Sequence, residues 1–249
     1  MCGIVAYIGR KQAMPILLEG LKRLEYRGYD SAGIGLMNHG LHICKAVGRV
    51  RVLEEKTQVT EGLSGTIGIA HTRWATHGGV TEANAHPHQD DAKQGHGIAI
   101  IHNGIIENYA TLKKYLEEKG HTFNSETDTE VLAHLIGELY HGDLEKAVQA
   151  ALREVTGAYA IAVMCAEEPD TLVVARKGAP LMVGVGNGEY IVASDSSAIV
   201  AHTTQAFTLP DFTVAKLTRD SFRTATIDDV PITTEVRELE FELAEIDLG

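Results

Sequence analysis

The fold of this chain is decided by the stretch Met1-Cys2-Gly3-Ile4-Val5-Ala6-Tyr7-Ile8-Gly9. Residues 3–8 are an apolar, β-favouring run, which predicts a buried strand. Cys2 lies directly before it, and a thiol is a strong nucleophile once a base takes its proton. Because Cys2 and Gly3 are small, we expect Met1 to be removed. The freed α-amine, with a reference pKa of about 7.7–8.0, would suit a general base.

Position alone leaves a second interpretation of Cys2 open. A buried cysteine in an amino-terminal strand explains the residue equally well, because free cysteine is among the most buried residue types. The decision between nucleophile and core residue therefore depends on what else the chain contains.

The hydrophobic pattern outside this stretch predicts many strands joined by short polar turns, with several helices between them. Such a pattern favours antiparallel sheets whose outer faces are covered by helices. Strands are expected at residues 3–8, 32–37, 41–47, 66–71, 97–102, 159–165, 171–175, 181–185, 190–193 and 212–217. Helices are expected at residues 14–24, 50–59, 106–119, 127–139 and 144–155.

Composition and charge argue against several classes of protein. The chain has 249 residues, of which 44% are hydrophobic, and its formal charge is −12. An acidic surface disfavours nonspecific binding to nucleic acid or anionic membranes, and no apolar run reaches the length of a membrane span. No basic region precedes the apolar amino terminus, so we do not interpret it as a signal peptide. The 3 cysteines form no disulfide framework, and we expect a cytoplasmic location.

A polar cluster, His71-Thr72-Arg73-Trp74-Ala75-Thr76-His77-Gly78, follows one predicted buried strand. The guanidinium of Arg73 is suited to holding a carboxylate through two parallel hydrogen bonds. Trp74 is the one tryptophan of the chain and is placed to close over a ligand. A polar turn with a surface arginine is the alternative.

A second cluster, residues 102–108, follows another predicted strand into a polar, glycine-containing loop. Asn-Gly after a strand is usually a turn. The side-chain amide of Asn103 and the backbone N–H of Gly104 would together also suit the oxyanion of a tetrahedral intermediate. Asp128 follows at a predicted helix start, where a carboxylate is favoured whether or not it binds a substrate ammonium group.

Histidines are frequent between His71 and His102, and histidine is a common metal ligand. Their spacing matches no helix-face or zinc-finger pattern and no cysteine lies near them, which argues against a metal. The glycines match no phosphate-binding loop or dinucleotide fingerprint. Cys44 and Cys165 lie in apolar predicted strands, and we expect both in the core.

Taken together, these segments resemble the N-terminal-nucleophile glutamine amidotransferases. The most specific motif is RLEYRGYDSAG at residues 23–33, which is similar to one branch, in which a glutaminase domain precedes a sugar-isomerising half. The resemblance covers nearly the whole chain. It rests on residues 1–5, 23–33, 71–78, 102–108 and 125–130 and, more loosely, 178–181 and 193–195.

The resemblance implies an α+β fold, a four-layer α/β/β/α sandwich of two mostly antiparallel sheets. It implies that Cys2 attacks the glutamine side-chain amide while its own α-amine moves the proton. Asn103 and Gly104 would form the oxyanion hole, and Arg27 would help to order the nucleophile.

The same resemblance implies how glutamine is held. Arg73 would bind the substrate carboxylate, with Thr76 and His77 nearby, and Asp128 would bind the α-ammonium group. Trp74 would belong to the lid. One cation and one anion at a fixed separation match the zwitterionic end of glutamine.

By resemblance, residues 1–238 are the glutaminase domain and residues 239–249 begin a linker to the sugar-isomerising half. No cofactor and no metal are implied; the partners are L-glutamine and that second half, not nucleic acid or membrane. In the longer enzyme ammonia would convert fructose 6-phosphate to glucosamine 6-phosphate, whereas this domain alone would only hydrolyse glutamine. Two alternatives are a silent glutamine-sensing module and amide transfer to a different acceptor.

Overall fold

The computed structural model describes residues 2–74, 78–90 and 95–239. Within those ranges the strands form two sheets, in which each pair of neighbouring strands is antiparallel. The strands are β1 (Gly3–Ile8), β2 (Ser31–Met37), β3 (Leu41–Val47), β4 (Ile67–Arg73), β5 (His88–Gln89), β6 (Ile98–Ile106), β7 (Gly157–Cys165), β8 (Leu172–Lys177), β9 (Met182–Gly186), β10 (Glu189–Ala193), β11 (Gln205–Thr208), β12 (Thr213–Leu217), β13 (Phe222–Thr226) and β14 (Arg237–Glu238).

The larger sheet has the strand order β14-β11-β9-β10-β1-β4-β2-β3, so β1 is a central strand. The smaller sheet has the order β13-β12-β8-β7-β6-β5. Helices cover the outer face of each sheet. They are α1 (Ala13–Leu24), α2 (Val50–Val59), α3 (Tyr109–Glu118), α4 (Asp128–Glu138) and α5 (Leu144–Glu154).

Strand β1 shows how the layers are built. Alternate side chains of a strand point to opposite faces of its sheet. Ile4, Ala6 and Ile8 pack into the core between the two sheets, whereas Val5 and Tyr7 pack into a separate core beneath α1 and α2. A third core joins the outer face of the smaller sheet to α4 and α5. The expected α+β fold, a four-layer sandwich with mostly antiparallel sheets, is therefore confirmed.

Burial on both faces explains why β1 is an unbroken apolar run rather than an alternating one. All of its residues are buried. Helix α1 follows the same logic on its inner face, where Leu17, Leu21 and Leu24 are fully buried at helical spacing.

Most predicted elements are confirmed to within two residues, but two at the centre of the chain were wrong. Strand β6 does not end at residue 102: it continues to Ile106, so Asn103 and Gly104 lie in a strand paired with β7 rather than in a polar loop. Helix α3 accordingly begins at Tyr109 instead of 106. The physical reason is that β7 supplies backbone partners for the polar residues, which local sequence does not reveal.

The strands β5, β11, β13 and β14 were not predicted. Each is short, and the pattern of two to five residues is too brief to show a period. Cys44 and Cys165 are buried in strands, which confirms the expectation that both belong to the core. No helix in the described ranges is long and apolar enough to cross a membrane.

Candidate active site

The first part of the site forms where β1 begins and β4 ends. These strands are antiparallel, with Gly3 opposite Thr72, so the residue before β1 meets the last residues of β4. The backbone N–H of Trp74 donates to the Cys2 sulfur over 3.3 Å, and the thiol lies 3.7 Å from the Trp74 carbonyl oxygen. The candidate nucleophile and the polar cluster are therefore adjacent, although 72 residues separate them in sequence.

Gly3 is required by the close packing around this strand start. A Cβ atom at Gly3 would lie 2.6 Å from Thr72 Oγ1 and 2.9 Å from the Cβ of Leu24, distances that real Cβ atoms do not reach. The small residue after the thiol thus lets β1 lie against both β4 and α1.

The thiol needs a base. Burial of Cys2 raises the pKa of the thiol above its usual value, and the hydrogen bond from Trp74 only partly opposes that effect. A raised pKa means that Cys2 is protonated at neutral pH, and only the thiolate is strongly nucleophilic. A proton acceptor close to the sulfur is therefore a chemical necessity for attack.

The second part of the site comes from the smaller sheet. Asn103, in β6, donates from Nδ2 to the backbone carbonyl oxygen of Cys2 over 3.1 Å. Its Oδ1 lies 2.9 Å from Nε2 of His71, a buried residue of β4. A carboxamide nitrogen carries two N–H groups, so one remains for a substrate oxygen. The two sheets therefore meet at the residue that carries the thiol.

Gly104 has a backbone that other residues rarely adopt. Its φ is +132°, and a Cβ atom there would lie 2.1 Å from the carbonyl oxygen of Ala158 on β7. Glycine at this position therefore lets the strand turn its backbone beside Asn103 without a clash.

Asp128 is the first residue of α4. Its Oδ2 accepts the backbone N–H of Ile106 over 2.8 Å, at the end of the strand that carries Asn103. The preceding Thr127 caps the helix by accepting the backbone N–H of Glu130. The Glu130 carboxylate accepts the backbone N–H groups of Asn124 and Ser125 before the helix. The carboxylate of Asp128 is thus fixed relative to the Asn103 strand.

Arg73 ends β4 with a buried side chain. Its guanidinium donates to the carbonyl oxygens of Gly79, over 3.1 Å, and Gly78, over 3.4 Å. The Asp30 carboxylate lies 4.0 Å away. Trp74 beside it is 55% exposed, which leaves its indole at the surface next to the thiol.

Residues 78–79, which accept hydrogen bonds from Arg73, are also hydrogen-bonded to Glu126 and Asn84. The Glu126 carboxylate accepts the backbone N–H of Gly79 over 3.2 Å and the side-chain amide of Asn84 over 3.0 Å. Asn84 also donates to the carbonyl oxygen of Gly79. Residues 78–79 are therefore hydrogen-bonded both to Arg73 and to the loop before α4.

Arg27 lies in a 3₁₀ helix, Glu25–Arg27, with a nearly buried side chain. It donates to the carbonyl oxygen of Ser194 and to the Asp195 carboxylate, each over 3.2 Å. Ser194 in turn accepts the backbone N–H of Ile4 over 3.0 Å. The contact of Arg27 with the nucleophile region thus runs through Ser194, which holds β1 two residues after the thiol.

In the structure Cys2 contacts Trp74 and Asn103, which are the sequence neighbours of Arg73 and Gly104. Asp128 is hydrogen-bonded to the end of strand β6, and Arg27 is linked to β1 through Ser194. Thr76 and His77 lie outside the described residues. Sequence reasoning gave no role to His71 or to Ser194, which contact Asn103 and β1 respectively. No spacing rule links residues 71 and 103, because their contact crosses from one sheet to the other.

Several histidines of this region are buried neutral groups. Burial lowers the pKa of His71 to about 3 and those of His86 and His88 well below the usual value. The His71 and His86 rings stack with centroids 4.1 Å apart. Within the described residues, no group of three or more histidine, cysteine or acidic side chains has a geometry that would hold a metal ion.

Solved structures share this architecture. The chain is similar to a structure of glutamine phosphoribosylpyrophosphate amidotransferase from B. subtilis, with 27% identity, a TM-score of 0.80 and coverage of 91% of this chain and 49% of that one. A glutamine aminotransferase class-II domain protein from Silicibacter pomeroyi, at 15% identity and a TM-score of 0.60, has the same fold over 90% of this chain and 99% of that one. The fold is that of the N-terminal-nucleophile amidotransferases.

Sequence comparisons specify the family. The glutamine amidotransferase domain family matches residues 71–201. The chain belongs to this family of glutamine amidotransferase domains.

Curated relatives support the same assignment to a glutamine amidotransferase family. The chain is 51% identical to "glutamine–fructose-6-phosphate aminotransferase [isomerizing]" of Chlorobaculum tepidum, over 100% of this chain and 41% of that protein. It is 54% identical to the protein of the same name from Caldanaerobacter subterraneus, over 89% of this chain and 36% of that protein. The chain therefore spans about two fifths of the length of the curated relatives it matches.

Proposed function

We propose that this domain hydrolyses the side-chain amide of L-glutamine to glutamate and ammonia through a thioester on Cys2. The Cys2 sulfur bonds to the amide carbon while the α-amine of the same residue accepts the thiol proton. That proton then passes to the leaving nitrogen as the carbon–nitrogen bond breaks and ammonia departs. Water attacks the thioester and releases glutamate and the free thiol.

A single observation carries this proposal most strongly. Asn103 donates to the carbonyl oxygen of Cys2 over 3.1 Å, so a carboxamide donor from the second sheet lies beside the candidate nucleophile. A nucleophile and an oxyanion donor must lie about 3 Å from one reacting group, which this juxtaposition permits. Gly104, with its left-handed backbone, would add the second donor.

The same proposal gives roles to the residues that surround the thiol. Arg73 would hold the substrate carboxylate and Asp128 its α-ammonium group, with Trp74 forming part of a lid. Thr76 and His77 are proposed to line the carboxylate side. Two observations support this assignment: Arg73 directly precedes Trp74, whose backbone N–H donates to the Cys2 sulfur, and Asp128 accepts the backbone N–H of Ile106 at the end of the strand that carries Asn103.

Base catalysis by the α-amine requires that Met1 be absent, because a peptide bond would acylate that amine. A chain that keeps Met1 is accordingly proposed to be an inactive precursor. Arg27 would support the nucleophile through Ser194, which accepts the Ile4 backbone N–H.

The names of the curated relatives extend the proposal to a longer enzyme. There, ammonia from this domain would convert fructose 6-phosphate to glucosamine 6-phosphate on a sugar-isomerising half. Residues 1–238 would be the glutaminase domain and residues 239–249 the start of the linker. We propose a cytoplasmic location, since the cysteines in the described residues are free.

Ammonia release from glutamine by purified protein tests the proposal. Activity is expected for the chain lacking Met1 and is expected to be lost in Cys2→Ala, because no other group would form the thioester. Cys165→Ala is the matched control, since it removes a buried thiol of β7 and should leave activity unchanged. Glutamine binding without ammonia release by the unmodified chain would instead support a silent sensing module.

A further inference from the structure

One buried imidazole beside the site has no role in the proposed chemistry. His71 is 1% exposed, and its Nε2 lies 2.9 Å from Oδ1 of Asn103. The oxygen and nitrogen ends of a carboxamide have almost the same shape, so hydrogen bonds alone decide which end faces the site.

The bonds of Asn103 leave one orientation. The carbonyl oxygen of Cys2 can only accept, so the Asn103 atom 3.1 Å from it must be the N–H-bearing Nδ2. Oδ1 then faces His71, and because Oδ1 also only accepts, Nε2 of His71 must carry the proton. Each end of the carboxamide is therefore fixed by its own partner, Nδ2 by the Cys2 carbonyl oxygen and Oδ1 by Nε2 of His71.

The imidazole is suited to this fixed donor role. Burial lowers the pKa of His71 to about 3, so the ring is neutral at physiological pH and carries one N–H. With that proton on Nε2, Nδ1 is bare and cannot donate. Stacking on His86, with centroids 4.1 Å apart and an angle of 16° between the rings, fixes the ring plane.

The geometry points to His71 as a positioning residue for amide hydrolysis: its Nε2–H bond holds the Asn103 carboxamide with Nδ2 turned toward the oxyanion. This inference rests on the proposed function. Without that bond, the carboxamide is free to rotate and to present Oδ1, an acceptor, to a developing negative charge. The loss would fall on the transition state and not on glutamine binding.

Two substitutions at this position separate the hydrogen bond from the packing. His71→Leu keeps much of the volume but removes the donor, and kcat should fall by roughly 10²-fold, with KM for glutamine changed by less than about twofold. His71→Gln places a side-chain N–H near the position of Nε2 and should restore kcat to within about tenfold of the unmodified chain. A purely structural histidine would show neither the selective fall in kcat nor the rescue.

A double variant tests whether His71 acts through Asn103. Once Asn103→Ala has removed the donor, adding His71→Leu should lower kcat by less than about threefold. His121→Leu is the matched control: His121 is a buried imidazole hydrogen-bonded to His134 and Glu138 on α4, away from Asn103, and kcat should be unchanged. Thermal unfolding of every variant monitors the fold.

The outcomes distinguish the inference from the proposed function. If the unmodified chain lacks Cys2-dependent ammonia release, the proposed function fails. If that activity is present but His71→Leu keeps its kcat, or lowers kcat equally in the Asn103→Ala background, the positioning role is overturned. If His71→Leu fails to fold, the kcat of the folded His71→Gln variant decides: a fall to the level of Asn103→Ala overturns the role.

Discussion

The two halves of the site are held in different ways. On the nucleophile side, Cys2 contacts the backbone of Trp74, whose indole is exposed, and its burial keeps the thiol protonated. On the oxyanion side, Asn103 is hydrogen-bonded at both ends, and Asp128 is bonded to the same strand. In the proposed mechanism, therefore, the oxyanion side is organised by folding, whereas the nucleophile side still requires a chemical step, the exposure of its amine.

The largest effect is expected on the oxyanion side. Asn103→Ala should lower kcat for glutamine hydrolysis by roughly 10²–10³-fold, because removal of one oxyanion donor has that effect in comparable sites. KM should change little, since the carboxamide acts on the transition state. Steady-state ammonia release measures both constants.

The matched control for this substitution is Asn108→Ala. Asn108 lies on the same chain segment but donates to the carbonyl oxygen of Glu154, away from the thiol. A kcat for Asn103→Ala equal to that of Asn108→Ala would contradict the assignment of Asn103 to the oxyanion hole. The proposed difference between the two halves of the site would then be wrong.

A smaller effect is expected from Asp128→Asn. The amide keeps an acceptor for the Ile106 backbone N–H but loses the charge, so KM for glutamine should rise by roughly 10-fold, in keeping with a lost charged hydrogen bond of about 1.5 kcal/mol. Kinetics on an analogue that lacks the α-amine should be almost unchanged.

Asp143→Asn provides the comparison for that variant. Asp143 is likewise a carboxylate at a helix start that accepts a backbone N–H, that of Lys146 in α5, but it lies outside the site. Equal changes of KM on glutamine and on the amine-free analogue would remove Asp128 from the ammonium site.

A further effect concerns stability against acid. In the unfolded chain His71 takes up a proton near pH 6.5, whereas in the folded chain its pKa is about 3. Stability is therefore full above about pH 6.5 and is lost as the pH falls toward 3. The free energy of unfolding should fall by roughly 1.4 kcal/mol per pH unit for this residue, with further loss from His86 and His88.

Denaturant unfolding between pH 6.5 and 5 measures this slope, above the range in which most carboxylates titrate. His71→Gln should make the slope shallower by about one proton. An unchanged slope would show that His71 is not held neutral by burial, and would weaken its assignment as a fixed single donor.

The sequence predicted the fold well where side-chain periodicity determines the elements. Strand β1 follows from an unbroken apolar run, and helices α1 and α2 follow from apolar residues at helical spacing. It failed at Asn103 and Gly104, where pairing with β7 makes a strand from residues that locally favour a turn. Propensity is overridden there by tertiary context.

The same limit of prediction from local sequence applies to the candidate site. Cys2, Arg73 and Asp128 could be singled out by residue type and motif, and the structure joins Cys2 to Asn103 and Asp128 to the end of the same strand β6. The bond from His71 to Asn103 could not be predicted, because it joins β4 to β6 across two sheets and depends on which carboxamide end faces the core. Such contacts are decided by packing and not by spacing along the chain.

The most direct test of Cys2 as a self-activated nucleophile is intact-mass analysis after treatment with a glutamine-mimicking electrophile. Chains with and without Met1 would be prepared separately, labelled, digested and sequenced by mass spectrometry, with ammonia release measured in parallel. We predict one label per chain, on Cys2, and only in active chains that lack Met1. A label on another residue, or equal labelling and activity in chains that retain Met1, would contradict the role of Cys2 and its α-amine.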